Sequence, residues 1–351
     1  GATISPPAIT VPGYILLDNT CLGCATPATA ATAAVNGNAI TLGGALSAGT
    51  LAGTTGVTIN AVANGVGNGF NQGANAISSS AGGVTITANV QAGGNGYYST
   101  GTITATGQAI TINTTTTTGA GINDTGAITG GVVTITGTQT TATATATVVT
   151  TTGLITANAL TINATGGAAS TIVSLGAVTI NAGGSNLTVT ANNAAAGGTT
   201  GISQTGAITN NAVGSNITFT SNNIINQTGA ISLVANSGVP VAHVIYDTTR
   251  GNRSSNITGG AVTFTTGSGS VMNYIAKSAG SAITPGAIGT ATASLPGYVL
   301  IDNTFGCTGT NCTPASGFIT ASNVSGTLAT ASVGATINGA IYNTGNISIN
   351  G

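Results

Sequence analysis

GVTINA (56–61), GVTITA (83–88), AITINT (109–114), VVTITG (132–137) and ALTINA (159–164) are one phrase written five times. AVTINA (177–182), NLTVTA (186–191), NITFTS (216–221) and AVTFTT (261–266) continue it. Side chains alternate across a β-strand, so a period of two sorts them by face. Val57 and Ile59 then share one face, and Thr58 and Asn60 share the other. The same split recurs at Val84/Ile86 against Thr85/Thr87 and at Ile110/Ile112 against Thr111/Asn113. One face is apolar; the other carries hydroxyls and amides.

Most copies begin roughly 18 to 30 residues apart, the period of solenoid repeats. Gly, Asn and Ser fill the gaps, as in NGVGNG (64–69) and GGSN (183–186), and supply the backbone freedom that sharp corners need. A hairpin meander also alternates strands and turns. It does not explain why one phrase returns after a gap long enough for one or two further short strands. A parallel β-helix does: each coil contributes one copy, and copies stack in register about 4.8 Å apart. The fold expected is therefore all-β, a parallel β-helix with irregular coils. Inward Val and Ile form columns, and an outward ladder runs through Thr58, Thr85, Thr111, Thr134, Thr161, Thr179, Thr188, Thr218 and Thr263. Val178 and Leu187 stand close enough to be two strands of one coil.

Composition bounds the function. The 351 residues carry four Asp, no Glu, and three Lys or Arg, a charged fraction of 2% against about 25% in ordinary soluble domains. Hydrophobic residues make up 41%, enough apolar surface to offset chain entropy. Net charge is -1, a weak barrier to self-association. Basic patches are missing, so nucleic acid is not an expected partner. Runs of 18 apolar residues are missing too, so no transmembrane segment is expected. With 56 Gly, each costing a helix interior roughly 1 kcal/mol, long helices are disfavoured. The sequence opens on Gly1 with no secretion signal visible, which reads as a processed product or an excised piece.

Catalytic equipment is sparse. Asp18, Asp124, Asp247 and Asp302 are scattered, and His243 is the single histidine. A polysaccharide lyase or glycosidase needs clustered carboxylates or a base beside a cation, and repeat-type calcium sites need recurrent Asp. Neither pattern is present, so no cofactor, metal or catalytic residue is assigned. The cysteines fall in two local pairs, Cys21/Cys24 and Cys307/Cys312. Local disulfides, free thiols and a metal or redox role all stay open; disulfides would place the chain outside the cytoplasm. Asn-x-Ser/Thr triplets occur 11 times, about as often as chance gives in so Asn- and Thr-rich a chain, and are acceptors only in a glycosylating host.

ISQTGAIT (202–209), INQTGAISL (225–233) and GAVTINAGGSNLTVTANN (176–193) resemble the passenger repeats of large bacterial exoproteins of the filamentous haemagglutinin type. The resemblance covers roughly residues 36–236, and 256–290 more weakly. It implies a right-handed parallel β-helix, secretion to the bacterial surface, and a role as adhesin or surface fibre. The N-terminal secretion-recognition domain of such proteins is not recognisable here, which favours a passenger fragment or a distant relative.

The two ends echo each other. PGYILLDNT (12–20) and PGYVLIDNT (296–304) share seven of nine residues at an offset of 284, and a cysteine pair follows each. Either the chain is slightly more than one unit of a tandem-repeat protein, or the motif joins or caps the ends of a polymerising subunit. Both readings put a joint at Tyr14 and Asp18 and at Tyr298 and Asp302. SGVPVAHVIYDTTRGNRSSN (237–256) breaks the phrase and gathers His243, Asp247, Arg250 and Arg253. It reads as an insertion covering the solenoid, or as a contact loop. The chain thus divides into a joint segment (1–35), a solenoid (36–236), the insertion (237–256), a continuation (257–290) and a second joint with further coils (291–351).

The function expected is a non-enzymatic extracellular structural protein: a surface fibre or adhesin, with itself and host or surface glycans as partners. An ice-binding solenoid is the alternative. Thr85/Thr87, Thr134/Thr136, Thr188/Thr190, Thr218/Thr220 and Thr263/Thr265 fit it; variable coil length and Asn at positions 60, 113, 163 and 181 speak against it. A polysaccharide-active β-helix enzyme stands third.

Overall fold

The structure is a computed structural model. It describes residues 3–20, 37–49, 55–167, 171–182, 184, 186–193, 199–211, 213–234, 242–249, 255–264, 271–276, 283–286, 288, 298–302, 319–320, 334–338 and 341–342. Every element among them is a strand, and every strand pairing recorded between them is parallel. The fold is a β-solenoid built from three parallel sheets, as the returning phrase requires.

The chain divides into two compact units, Gly1–Gly176 and Ala177–Gly351. In each, three sheets follow one another along every coil and are called I, II and III here in chain order. In the first unit sheet II is the widest. It is made of Tyr14–Asp18, Gly56–Ala63, Val84–Val90, Ile110–Thr116, Val132–Gln139 and Ala159–Gly166. Val57, Val84, Ile110, Val133 and Leu160 are register partners in turn, so successive coils contain 27, 26, 23 and 27 residues. Ile59, Ile86, Ile112, Ile135 and Ile162 form the neighbouring column. All ten side chains are at most 1% exposed, and a fully buried residue of this kind is worth roughly 1.5–3 kcal/mol. Variation in coil length is absorbed in the loops, because the register of sheet II never slips from one coil to the next.

Tight corners let sheet III turn into sheet I. The chain repeats a polar residue, then a residue and a glycine: STG (99–101), DTG (124–126), QTG (204–206), QTG (227–229). The polar side chain points inward and is buried. Its oxygen accepts the glycine amide at the corner, Gly101 N to Ser99 Oγ at 3.1 Å and Gly126 N to Asp124 Oδ1 at 3.0 Å. In the second unit the Gln204 and Gln227 amides donate instead to the Gly206 and Gly229 carbonyls. Glycine is required for space: a Cβ on Gly126 would lie 1.7 Å from the Gly101 carbonyl oxygen.

In the second unit sheet II contains Asn186–Asn193, Asn216–Ser221, His243–Asp247, Val271–Ile275, Tyr298–Asp302 and Gly334–Asn338. His243–Asp247 therefore differs from its expected reading as an insertion. It is a regular rung, with Val244 opposite Ile217 and Tyr246 opposite Phe219. The inward alternation Val244/Tyr246 is present in VPVAHVIY; only the outward Thr is missing. Phe219, Tyr246 and Tyr274 stack face to face, at centroid distances of 5.4 and 4.6 Å, and fill a column that is aliphatic in the first unit.

Candidate functional site

The outward side of sheet II in the first unit is a grid. One row holds Thr58, Thr85, Thr111, Thr134 and Thr161, each the register partner of the next. The next row alternates Asn60, Thr87, Asn113, Thr136 and Asn163. The third is Val62, Asn89, Thr115, Thr138 and Thr165. Rungs repeat about every 4.8 Å along the stack and alternate residues about every 6.7 Å along the strand.

The expected ladder needs correction in the second unit. Thr188 and Thr218 are partners on sheet II, but Thr179 and Thr263 lie on sheet I. Two different strands carry the same phrase, so phrase alone does not assign the sheet. The residues between Thr179 and Thr263 on sheet I are Thr209 and Ser232. The first unit has the matching row Thr10, Ser47, Ser78, Thr104, Thr129 and Thr156. Among the described residues the sheet I row thus presents hydroxyls alone, with no amide. Its signal is in the sequence: GTIT (101–104), GAIT (126–129), GLIT (153–156), GAVT (176–179), GAIT (206–209) and GAIS (229–232) recur once per coil. The more conspicuous sheet II phrase masks it.

An open groove of about 730 Å³ follows the sheet I row over its first coils. Thr10, Ser47, Ser78 and Thr104 line it, with Ser80 and Thr106 beside them. Among the described residues no charged side chain lines it. A smaller groove of about 400 Å³ runs where sheet II ends, between Asn89, Gln91, Thr115, Thr117 and Thr140. The first offers hydroxyls along the stack, and the second hydroxyls and amides. Neither holds the acid–base pair that hydrolysis needs.

The joint residues fall on a different kind of strand. Tyr14–Asp18 is a sheet II rung opposite Gly56–Asn60, and it points Tyr14 and Leu16 outward, 40% and 44% exposed, Leu16 standing in the row where later rungs carry Thr and Tyr14 opposite Gly56. Asp18 accepts from Thr20 N at 2.6 Å, Thr20 Oγ1 at 2.5 Å and Asn60 Nδ2 at 2.8 Å. Burial pushes its carboxyl up, but these hydrogen bonds outweigh that and hold it below the usual carboxylate value. Asn19 then mimics one more strand residue: its side chain accepts Val62 N at 2.8 Å and donates to Val62 O at 3.1 Å. The DNT triplet is a clasp onto the following coil.

The second copy, Tyr298–Asp302, is also a sheet II rung, paired on one side with Val271–Ile275 and on the other with Gly334–Asn338. It is interior to its sheet, so the motif is not a terminal cap there. Tyr298 faces Gly334 as Tyr14 faces Gly56, and Asp302 faces Asn338 as Asp18 faces Asn60.

His243 and Asp247 begin and end one rung of sheet II in the second unit. Burial holds the His243 imidazole below its ordinary pKa. Asp247 Oδ1 accepts Thr249 N at 2.7 Å, a local turn contact. Arg250 and Arg253 lie outside the described residues, as do Cys21, Cys24, Cys307 and Cys312. Asp124 sits inside the first unit, 1% exposed. Burial raises its carboxyl to about 7, opposed by the Gly126 amide and the Ser99 hydroxyl. Among the described residues no three His, Cys, Asp or Glu side chains come together as metal ligands, and no helix is long and apolar enough to cross a membrane. Compared with known proteins, the chain matches no family model, no curated sequence and no solved structure.

Proposed function

We propose that this chain is a non-enzymatic extracellular structural protein, a β-solenoid unit of a surface fibre or adhesin that links end to end or as tandem copies. The observation that carries this is the repeated joint rung. Two strands 284 residues apart in sequence have nearly the same residues, Tyr and Leu at the same register positions, and the same pairing onto a Gly-x-Thr-Ile-Asn strand. A solenoid whose coil recurs in this way extends by adding coils, since each rung is stabilised mainly by its neighbours. Neutral hydroxyl and amide rows support many weak contacts to uncharged glycans, and a net charge of -1 opposes self-association only weakly. The phrases ISQTGAIT and INQTGAISL, similar to filamentous haemagglutinin-type repeats, support a bacterial surface setting. Electron microscopy of purified chain is the test: filaments with an axial repeat matching one solenoid unit are expected, and dispersed particles at every concentration overturn the fibre reading.

Ice binding is a second reading, favoured by the unbroken Thr row on sheet II and the all-hydroxyl row on sheet I of the first unit. Thermal hysteresis in concentrated solution is its expected signature, and freezing at the bulk melting point removes it.

A further inference from the structure

In an Asn-Gly pair the glycine nitrogen reaches the asparagine side chain before it with little hindrance, because glycine carries no Cβ. The corner between Gly56–Ala63 and Phe70–Gly73 contains this pair twice, in NGVGNG (64–69), and the next coil contains it again at Asn95–Gly96. Two of these three pairs are locked into the stack. Gly69 N donates to Asn95 O, and Gly96 N donates to Ala120 O, both at 2.9 Å. Asn68 N donates to Asn38 Oδ1 at 2.9 Å, and Asn95 N donates to Asn68 Oδ1 at 3.1 Å. Asparagines thus tie this corner from coil to coil.

Asn64–Gly65 stands outside that ladder. Among the described residues the Gly65 amide makes no hydrogen bond. Asn64 Oδ1 is buried and meets no donor. Turning the side-chain amide therefore breaks no bond to that oxygen, and it releases an acceptor whose burial without a partner is unfavourable. Val66, next to Gly65, is 75% exposed, so water reaches the tip of this corner. The same corner holds one Asn-Gly pair free to react and one that is held.

We propose that Asn64 is a self-modifying site, converting to aspartate and isoaspartate through a cyclic imide while Asn68 and Asn95 stay intact. The Gly65 nitrogen gives up its proton and bonds to Asn64 Cγ. The Cγ–Nδ2 bond breaks, and Nδ2 leaves as ammonia with that proton. Water then opens the ring. Cleavage between the nitrogen and Cγ gives aspartate. Cleavage between the nitrogen and the Asn64 backbone carbonyl carbon gives isoaspartate, whose main chain runs through the former side chain. Nothing is oxidised or reduced, and water is the only co-reactant. Either product adds one negative charge to a chain whose net charge is -1. Isoaspartate also adds one carbon to the main chain of a corner loop, the part of the coil that already absorbs differences in coil length. At Gly69 and Gly96 the attacking nitrogen is held on a carbonyl of the neighbouring coil, so reaction there first requires the corner to open.

The test is a timed incubation of the full chain in warm, mildly alkaline buffer, followed by pepsin digestion in acid and mass spectrometry. Fragmentation of the peptides separates Asn64 from Asn68. Peptides with Asn64 are expected to gain the mass of an amide-to-acid change and to split into two products, one of them labelled by an isoaspartyl methyltransferase. Conversion at Asn64 is expected to be several-fold faster than at Asn68 or Asn95. In urea-unfolded chain the three sites are expected to convert at similar rates, which assigns the difference to the fold. All three sites are read in one molecule, so the comparison depends on no variant. Gly65→Ala is expected to slow conversion at Asn64 several-fold and to leave Asn68 and Asn95 as they were. Equal rates at the three sites in folded chain overturn the proposal. So does an Asn64 that stays intact in folded chain while it converts in unfolded chain.

Discussion

The five central coils of the first unit and the coils from Asn216 to Ile275 in the second solve the same problem with different side chains. In the first, two inner columns of sheet II are Val, Leu and Ile, and the two outer rows beside them are Thr and Asn. In the second, one inner column is Phe219, Tyr246 and Tyr274 in a stack, while the outer row passes from Thr218 to Ile245 to Asn273. Both keep their register, rung on rung. The comparison separates two roles that the repeated phrase merges. Inward alternation defines a rung; outward Thr defines a surface. Where the surface changes, the rung persists.

The corner is common to both regions and gives the largest expected effect. Gly126→Val puts a Cβ 1.7 Å from the Gly101 carbonyl, and Gly229→Val puts one 1.9 Å from the Gly206 carbonyl. Backbone cannot yield on both sides of a stacked corner, so each change is expected to cost about 5 kcal/mol, in the range reserved for direct steric conflict. Urea unfolding of the two variants checks this. A cost near zero at one corner and large at the other would show that the two units close their coils differently.

Next in size are the inner columns. Tyr246→Ala removes a ring stacked on two others, with its hydroxyl donating to Gln227 Oε1 at 2.8 Å; a loss of about 4 kcal/mol is expected, as for large aromatic truncations. Ile135→Ala in the aliphatic column is expected to cost about 3 kcal/mol. Tyr246→Phe sharpens the contrast, since it keeps the stack and leaves Gln227 Oε1 without its hydroxyl donor. An expected cost of about 1–2 kcal/mol, read from the denaturation midpoint, isolates the hydrogen bond from the ring.

Asp124 distinguishes the corners of the two units by pH. Its folded-state value of about 7 lies above the ordinary carboxylate value of 3.8. The native carboxyl therefore keeps a proton that the unfolded chain has released across that window, and stability falls as pH rises from about 4 to about 7. A tenfold difference in proton affinity between the two states is worth about 1.4 kcal/mol, so the loss is at most about 4 kcal/mol and is complete above pH 7. Asp124→Asn retains an oxygen for the Gly126 amide and removes the titration. Measured at pH 5 and pH 8, the variant is expected to lose the wild-type difference and to be the more stable chain at pH 8. The Gln204 and Gln227 corners carry no ionisable group and contribute nothing to this window. A wild-type stability unchanged between the two pH values would contradict the buried acid.

What can be read from sequence follows the same division. Sheet II of the first unit is legible because Val57, Val84, Ile110, Val133 and Leu160 each sit two residues before another branched or long aliphatic residue and beside Thr. The rung at His243 reads as an insertion because the phrase is identified by its outward Thr, which is Ile245 there. Thr179 and Thr263 fall on the wrong ladder for the converse reason: their phrase is right, but Gly176 and the corner before Thr179 place that strand on sheet I. The joint rung is legible as a duplication, while its clasp is not. That Asn19 pairs with Val62 across 43 residues depends on the length of the loop between them, and loop closure depends only weakly on length. The inward placing of the corner residues Ser99, Asp124, Gln204 and Gln227 has no signal in the sequence, because local sequence does not say on which side of a corner a polar group ends.

The smallest effect tests the surface half of the comparison. Thr111 lies in the middle of the outward sheet II row, between Thr85 and Thr134. Valine has the same branching and fits a pleated, half-buried strand at least as well. If the outward row is a surface and not part of the scaffold, Thr111→Val changes stability by no more than about 0.5 kcal/mol, as expected away from core contacts. The five-residue row Thr58, Thr85, Thr111, Thr134 and Thr161 changed together to Val keeps every rung and erases the hydroxyls. Circular dichroism and the melting midpoint are expected to stay close to the parent, while adhesion to glycan-coated surfaces, or thermal hysteresis on the ice reading, is lost. Destabilisation beyond about 2.5 kcal/mol, five times the single-site bound, would mean that the hydroxyl row holds the coils together. The separation drawn between the two regions would then fail at its outer face.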